Sequence, residues 1–112
     1  MKGDATTRHA QPRHNDDRRR RVQAFWEEAQ PKRGRAKRRN WYYYREIERF
    51  CRAMVPPGSR VLDVGCGDGS LLAALAPSHG VGIDWSPTAI AEARKRHPHL
   101  TFLVDDIEDL QL

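Results

Sequence analysis

VLDVGCGDGS, Val61 to Ser70, is a short apolar run that ends in three glycines at alternate positions, Gly65, Gly67 and Gly69. Arg60 to Val64 read as a β-strand. Gly69 then leads into Ser70 to Ala76, a helix with Leu71, Leu72 and Leu75 on one side, which Pro77 ends. A glycine turn between a strand and a helix brings backbone N–H groups and a helix N-terminus to one point, where a polar ligand is bound in open α/β sheets. A tight turn without a ligand needs one or two glycines. Three at alternate positions also remove every Cβ between the backbone and a ligand, which points to a binding loop of nucleotide-cofactor type.

Downstream the pattern repeats. Gly80 to Asp84 form a second strand, Ser86 caps a helix with Pro87 at its first position, and that helix runs to about His97 before Pro98. Leu100 to Val104 form a third strand that leads into an acidic end. Strand, helix, strand, helix, strand implies right-handed crossovers and a parallel sheet, an α/β doubly wound fold of Rossmann-like type. Asp84 ends the second strand, nineteen residues after Gly65. An acid about 20 residues beyond such a loop accepts hydrogen bonds from a ribose diol.

Upstream, Asn40 reads as an N-cap, and Tyr43, Ile47, Phe50 and Met54 recur at offsets 0, 4, 7 and 11 before Pro56, Pro57 and Gly58 stop the helix. This stripe is expected to pack on the sheet. Val22, Phe25, Trp26 and Ala29 form one face of a shorter helix, which Pro31 and Gly34 are expected to interrupt. Met1 to Arg21, with hardly a large apolar side chain, read as a disordered basic tail.

The charge is divided along the chain. Met1 to Asn40 carry 13 Lys or Arg against 5 acids, net +8, and Trp41 to Leu112 carry 7 against 10, net −3. The basic character belongs to the first third, and the folded part is mildly acidic. No apolar run approaches the ~20 residues needed to span a bilayer and no apolar h-region follows the arginines, so the protein reads as soluble and cytoplasmic. Cys51 and Cys66 show no metal-ligand spacing, which argues against a zinc site. At 112 residues, 38% of them hydrophobic, the chain suffices for one modest core.

A carboxylate, Asp63, stands two residues before the first glycine, and the resulting DxGxGxG resembles the loop of class I S-adenosylmethionine-dependent methyltransferases. GIDWSPTAIAEARKRHP, Gly82 to Pro98, is similar to that family's second strand and helix. FWEEAQ and NWYYYREIERF resemble the helices that cover the cofactor in its small-molecule and lipid methyltransferases. The resemblance implies S-adenosyl-L-methionine as cofactor. The loop with Gly65, Cys66, Gly67 and Gly69 would lie on its methionine portion, with Asp63 near the ammonium, Asp84 on the ribose and Trp85 beside the adenosine. In the turn VDDIEDL, Asp106 would accept from the adenine amino group and Ile107 would give its N–H and an apolar ring contact. A register one residue earlier puts Asp105 in that place. Tyr42, Tyr43 and Tyr44 are lid candidates, with Tyr43 on the apolar stripe better placed for packing.

The division that follows is a tail at 1–21, N-terminal lid helices at 22–57 and a partial S-adenosylmethionine-binding domain at 58–112. Complete members of that family have seven strands in the order 3-2-1-4-5-7-6, and three are legible here, so the expectation is a sheet truncated after its third strand. A C-terminal half encoded elsewhere would bring the acceptor site, and no catalytic residue can be named. The expected reaction is methyl transfer to a small-molecule or lipid-like acceptor. The alternative is a non-catalytic fragment whose basic tail contacts nucleic acid or an acidic partner. An NAD-dependent enzyme is disfavoured, because the dinucleotide pattern GxGxxG requires glycine where Ser70 stands.

Overall fold

The structure is a computed structural model and describes residues 16–106 and 108. Ile107 and the first fifteen residues lie outside the described residues. The order of elements is α1 (Asp16–Arg39), α2 (Trp41–Met54), β1 (Arg60–Val64), α3 (Ser70–Ala74), β2 (His79–Asp84), α4 (Pro87–Arg96) and β3 (Thr101–Val104). The strands form one parallel sheet in the order β1-β2-β3, with Asp63 opposite Gly82 and Gly82 opposite Phe102. The α/β, Rossmann-like expectation from the glycine turn is therefore met, with strand limits within a residue of those read from the sequence.

Strand alternation divides the sheet into two unlike faces. On one face Val61, Gly82 and Phe102 meet Leu72 of α3 and Ile90 and Ala93 of α4, and these residues with Cys66 and Leu100 make the core. The two glycines of β2 are seats for bulky neighbours: a Cβ on Gly82 would stand 2.7 Å from the Phe102 ring, and one on Gly80 would stand 2.9 Å from Leu100. On the other face Leu62, Val64 and Leu103 are exposed, and only Ile83 of the central strand, between Val64 and Leu103, is buried. Parallel sheets are ordinarily covered on both faces, so this is the unfinished side of a doubly wound arrangement among the described residues.

Two expectations about the leading helices are corrected. Helix α1 runs unbroken from Asp16 to Arg39 through Pro31 and Gly34, and it takes in Asp16 to Arg21, which composition assigns to a disordered tail. Its inward face is also mostly polar. Phe25 is 63% and Trp26 41% exposed, whereas Arg19, Gln23, Glu27, Gln30, Arg33 and Lys37, at helical spacing, are partly covered, together with Val22 and Ala29 of the expected stripe. Helix α2 does not pack on the sheet. It buries no residue, and Tyr43, Phe50 and Met54 are all more than 60% exposed. The cause lies in the Pro-Pro-Gly turn, which is tied to the end of α3 by Gly58 N–H to Ala76 O (2.9 Å) and by Ser78 N–H to Ser59 O (2.9 Å). That tie sends α2 off beside α3 and away from the bare face. Asn40 forms the turn between α1 and α2 without a side-chain cap.

Candidate functional site

The glycine turn starts as a continuation of the sheet, with Gly65 N–H and Cys66 N–H both donating to Ile83 O at 2.7 and 3.0 Å. It then reverses through Gly67 and Gly69, whose φ values of +55° and +79° lie in the left-handed region open to glycine. Gly69 also has no room for a side chain, because a Cβ would stand 2.6 Å from Phe102. Its role is to seat the turn on the core. Gly65 is open, and Gly67 is approached by the Arg33 guanidinium, whose Nη2 lies 3.2 Å from where a Cβ would be.

Asp84 braces this loop. Its carboxylate is buried, one oxygen accepting from Gly67 N–H at 2.9 Å and the other from Ser86 N–H at 3.0 Å. A carboxylate offers about four lone-pair sites, so each oxygen keeps capacity beyond these bonds. Ser86 caps α4 as its sequence indicated, its hydroxyl accepting from Ala89 N–H at 3.0 Å with Pro87 behind it. One acid thus fixes the glycine loop against the α4 N-terminus.

A cavity lies on either side of this brace. The larger, about 640 Å³, includes Asp63, Gly65, Cys66, Gly67, Arg33 and Tyr44 in its wall. The smaller, about 380 Å³, is lined by Arg19, Gln23, Trp85, Val104, Asp105 and Asp106, among others. Of the candidates, Asp63, Gly65, Cys66 and Gly67 border the larger cavity and Trp85, Asp105 and Asp106 the smaller, while Gly69 and Asp84 lie behind this strip and line neither. Of the three tyrosines, Tyr44 reaches the cavity, and Tyr42 and Tyr43 are exposed.

Charge in the strip is uneven. Burial, with the Asp84 carboxylate nearby, pushes the Asp63 carboxyl above its ordinary value. Burial and the negative charges of Asp84 and Asp63 push the Cys66 thiol up to about 12. Burial acts on Asp68 in the same sense, but hydrogen bonds from Ser70 and the ammonium of Lys37, 3.4 Å away, outweigh it and hold that carboxyl below the ordinary value.

Helix α1 closes the strip with side chains that the sequence reading did not single out. Arg19 Nε lies 2.9 Å from Asp106, Gln23 donates to Trp85 O at 3.0 Å, and Lys37 reaches Asp68. Glu27 accepts from the Ser86 hydroxyl, from Thr88 N–H at 3.2 Å and from the Thr88 hydroxyl at 2.5 Å, and these bonds lower its pKa. The available signal was a polar stripe at helical spacing, hidden by the assumption that a helix faces inward with its apolar residues.

Residues 61–112 match the family described as methyltransferase domain. Trans-aconitate 2-methyltransferase of Acidovorax sp. (strain JS42) is 36% identical over 67 residues, which cover 56% of this chain and 26% of that protein. The same enzyme of Methylobacterium nodulans is 43% identical over 56 residues, 46% of this chain and 22% of its own. A chain of the Haloferax volcanii complex between the Trm112 methyltransferase activator and a methyltransferase superposes with a TM-score of 0.60 at 30% identity, over 80% of this chain and 41% of that one. A TehB-like SAM-dependent methyltransferase from Corynebacterium glutamicum gives 0.53 at 25% identity, over 73% and 50%. The similarity to the methyltransferase domain family thus covers residues 61–112, somewhat under half of the chain. The methyltransferase-like part contains β1 to β3 with the glycine turn and Asp84. The chain spans about a quarter of the length of the curated relatives it matches. No described helix is long and apolar enough to cross a membrane.

Proposed function

We propose that the chain supplies the cofactor-binding part of an S-adenosylmethionine-dependent methyltransferase acting on a small-molecule acceptor. The observation that carries this reading is the Asp84 brace, whose carboxylate holds the glycine loop and the α4 N-terminus and whose backbone O accepts from Asp105 N–H at 3.1 Å, so that one residue joins the loop wall to the turn after β3. A ligand with an amino-acid end, a ribose and a base in line matches that wall.

The residues fit such a ligand by their own chemistry. Asp63, disfavoured as a bare anion, gains from an ammonium beside it. Gly65, Cys66 and Gly67 present backbone without intervening side chains, and Gly69 sets the turn. Asp84 has lone pairs left for a ribose diol, and Trp85 flanks the nucleoside. Asp106 already faces a nitrogen cation, the Arg19 guanidinium, and the adenine amino group would take that place. Ile107 would give its N–H and ring contact as the family resemblance implies. When bound, the cofactor supplies a methyl group on a sulfonium. The task of these residues is alignment, which supplies most of the rate in a displacement of this kind. The names of the trans-aconitate relatives support a small polar acceptor. The open edge of β1 and the bare face with Leu62, Val64 and Leu103 are where further strands and helices of such a domain would pack.

Calorimetry of the 112-residue chain with S-adenosylhomocysteine tests the reading, and saturable one-to-one binding is the expected result. Absence of heat and of any thermal shift at millimolar ligand, from a chain shown to be folded by circular dichroism, would remove it.

A further inference from the structure

Near the glycine loop Asp84 and Asp68 are engaged, whereas one carboxylate, Asp63, and one cation have no partner of opposite charge among the described residues. Lys37 and Arg96 share Asp68, each at 3.4 Å, and Arg96 also pairs with Glu92 at 2.8 Å. Arg33, between them on the cavity wall, pairs with no carboxylate among the described residues. Its guanidinium lies over the Trp26 ring, 5.5 Å from the ring centroid, and rests against Gly67. It is partly covered, and the unbroken course of α1 through Pro31 and Gly34 fixes its place in a helix. A guanidinium held partly out of water without an anion is poised to receive one, and its fork matches a carboxylate. Asp63 lines the same cavity and favours a cation. Opposite charges across one cavity are the complement of an α-amino acid zwitterion.

We propose that Arg33 of α1 is the counter-ion for a carboxylate brought into the loop cavity by a ligand, and that this carboxylate is the amino-acid end of the cofactor. The inference rests on the cofactor reading above and adds to it a residue outside the matched segment 61–112. The glycine at 67 lets the guanidinium lie on the loop backbone, and Trp26 holds it there until the anion enters. Recognition of the amino-acid end is then divided between the sheet, which gives Asp63, and the lid helix, which gives Arg33.

Two probes isolate this contact. S-adenosylhomocysteine and 5′-methylthioadenosine share the adenosine and the thioether, and the first alone carries the amino acid. The wild-type chain should bind the first at least about tenfold more tightly, the scale of one charge-assisted contact. Arg33→Gln should narrow the difference severalfold, Asp63 keeping its share of it, and leave the affinity for 5′-methylthioadenosine unchanged. Arg33→Lys should keep part of the difference, which also covers the case in which the glutamine variant fails to fold. Arg35→Gln removes the same charge from the exposed side of α1 and should change nothing. If the carboxylate belongs instead to the acceptor, Arg33→Gln keeps the ratio, but citrate raises the melting temperature of the wild-type complex and not that of the variant. That outcome assigns the anion site to the acceptor and overturns its assignment to the cofactor. An unchanged ratio with no citrate difference overturns the site altogether. A wild-type chain that binds neither nucleoside defeats the cofactor reading itself and is distinguishable from both.

Discussion

Helices α1 and α4 meet where α4 begins, at the carboxyl end of β2, and are held to the body by opposite chemistry. Helix α4 buries Ala89, Ile90 and Ala93 against Phe102, with Ile90 and Ala93 wholly inaccessible. Helix α1 shows Phe25 to water and touches the body through Arg19, Gln23, Glu27 and Lys37. An apolar contact in water has no substitute partner, so α4 stays where the core puts it. A hydrogen bond between polar groups is exchanged for another at little net cost. The inner face of α1 can therefore give up protein partners for those of a ligand, and α4 cannot.

The comparison breaks most readily at the core. Ile90→Ala removes a fully buried side chain beneath both helices and is expected to cost about 2–5 kcal/mol, enough to unfold a chain with so small a core. Urea denaturation followed by circular dichroism measures it, and a loss confined to α1 would contradict the assignment of roles. Next comes the brace. Asp84→Ala leaves Gly67 N–H and Ser86 N–H without their acceptor, at about 1–3 kcal/mol for each buried group left unpaired. S-adenosylhomocysteine binding should disappear in calorimetry even where the variant still folds.

A smaller effect is expected from Glu27→Ala, which unties α1 from the α4 N-terminus. Loss of a capping interaction is worth about 1 kcal/mol. Hydrogen exchange should quicken along α1 and leave the Ile90 amide protected. Acid should do the same. Because the folded pKa of Glu27 is depressed, its contribution is complete above the ordinary value of 4.5 and fades as the pH falls through the lower folded value. Exchange in α1 should therefore rise below pH 4.5 with β2 still protected.

The smallest change in stability carries the sharpest sign. Asp63 has a raised folded pKa, so its charge opposes folding increasingly as the pH rises through its ordinary range. Asp63→Asn should stabilise the unliganded chain by about 1 kcal/mol or less and weaken S-adenosylhomocysteine. A variant weaker in both melting temperature and affinity would show that Asp63 serves the fold and not a ligand.

The sheet, the glycine turn and the Ser86 cap were legible because each is dictated locally: β-branched runs, alternate glycines, and a serine before a proline at a helix start. Asp84 was legible as an acid at the correct spacing, but its hold on Gly67 N–H was not, since that bond spans seventeen residues and depends on how the loop turns. Helix α1 was misread for a non-local reason. Proline within a helix loses one backbone hydrogen bond and crowds the preceding turn, and sequence alone weighs that against nothing. In the folded chain, contacts on both sides of Pro31, by Gln23 and Glu27 before it and Lys37 after it, hold the axis in line. Helix α2 was misread because an apolar stripe states only that a face suits burial. What covers it depends on where the Pro-Pro-Gly turn is tied.

The Cys66 thiol, buried in the loop and pushed up to about 12, has a practical consequence for labelling. The thiolate is the form that reacts with maleimides and disulfide reagents, and at neutral pH Cys66 holds almost none of it. Cys51, on α2 and less covered, is the thiol a fluorophore reaches first. A single dye can thus be placed on the covering helix without touching the glycine turn. The much slower capture of Cys66 then serves as a clock for how often that turn opens, and a ligand resting on it should slow the clock.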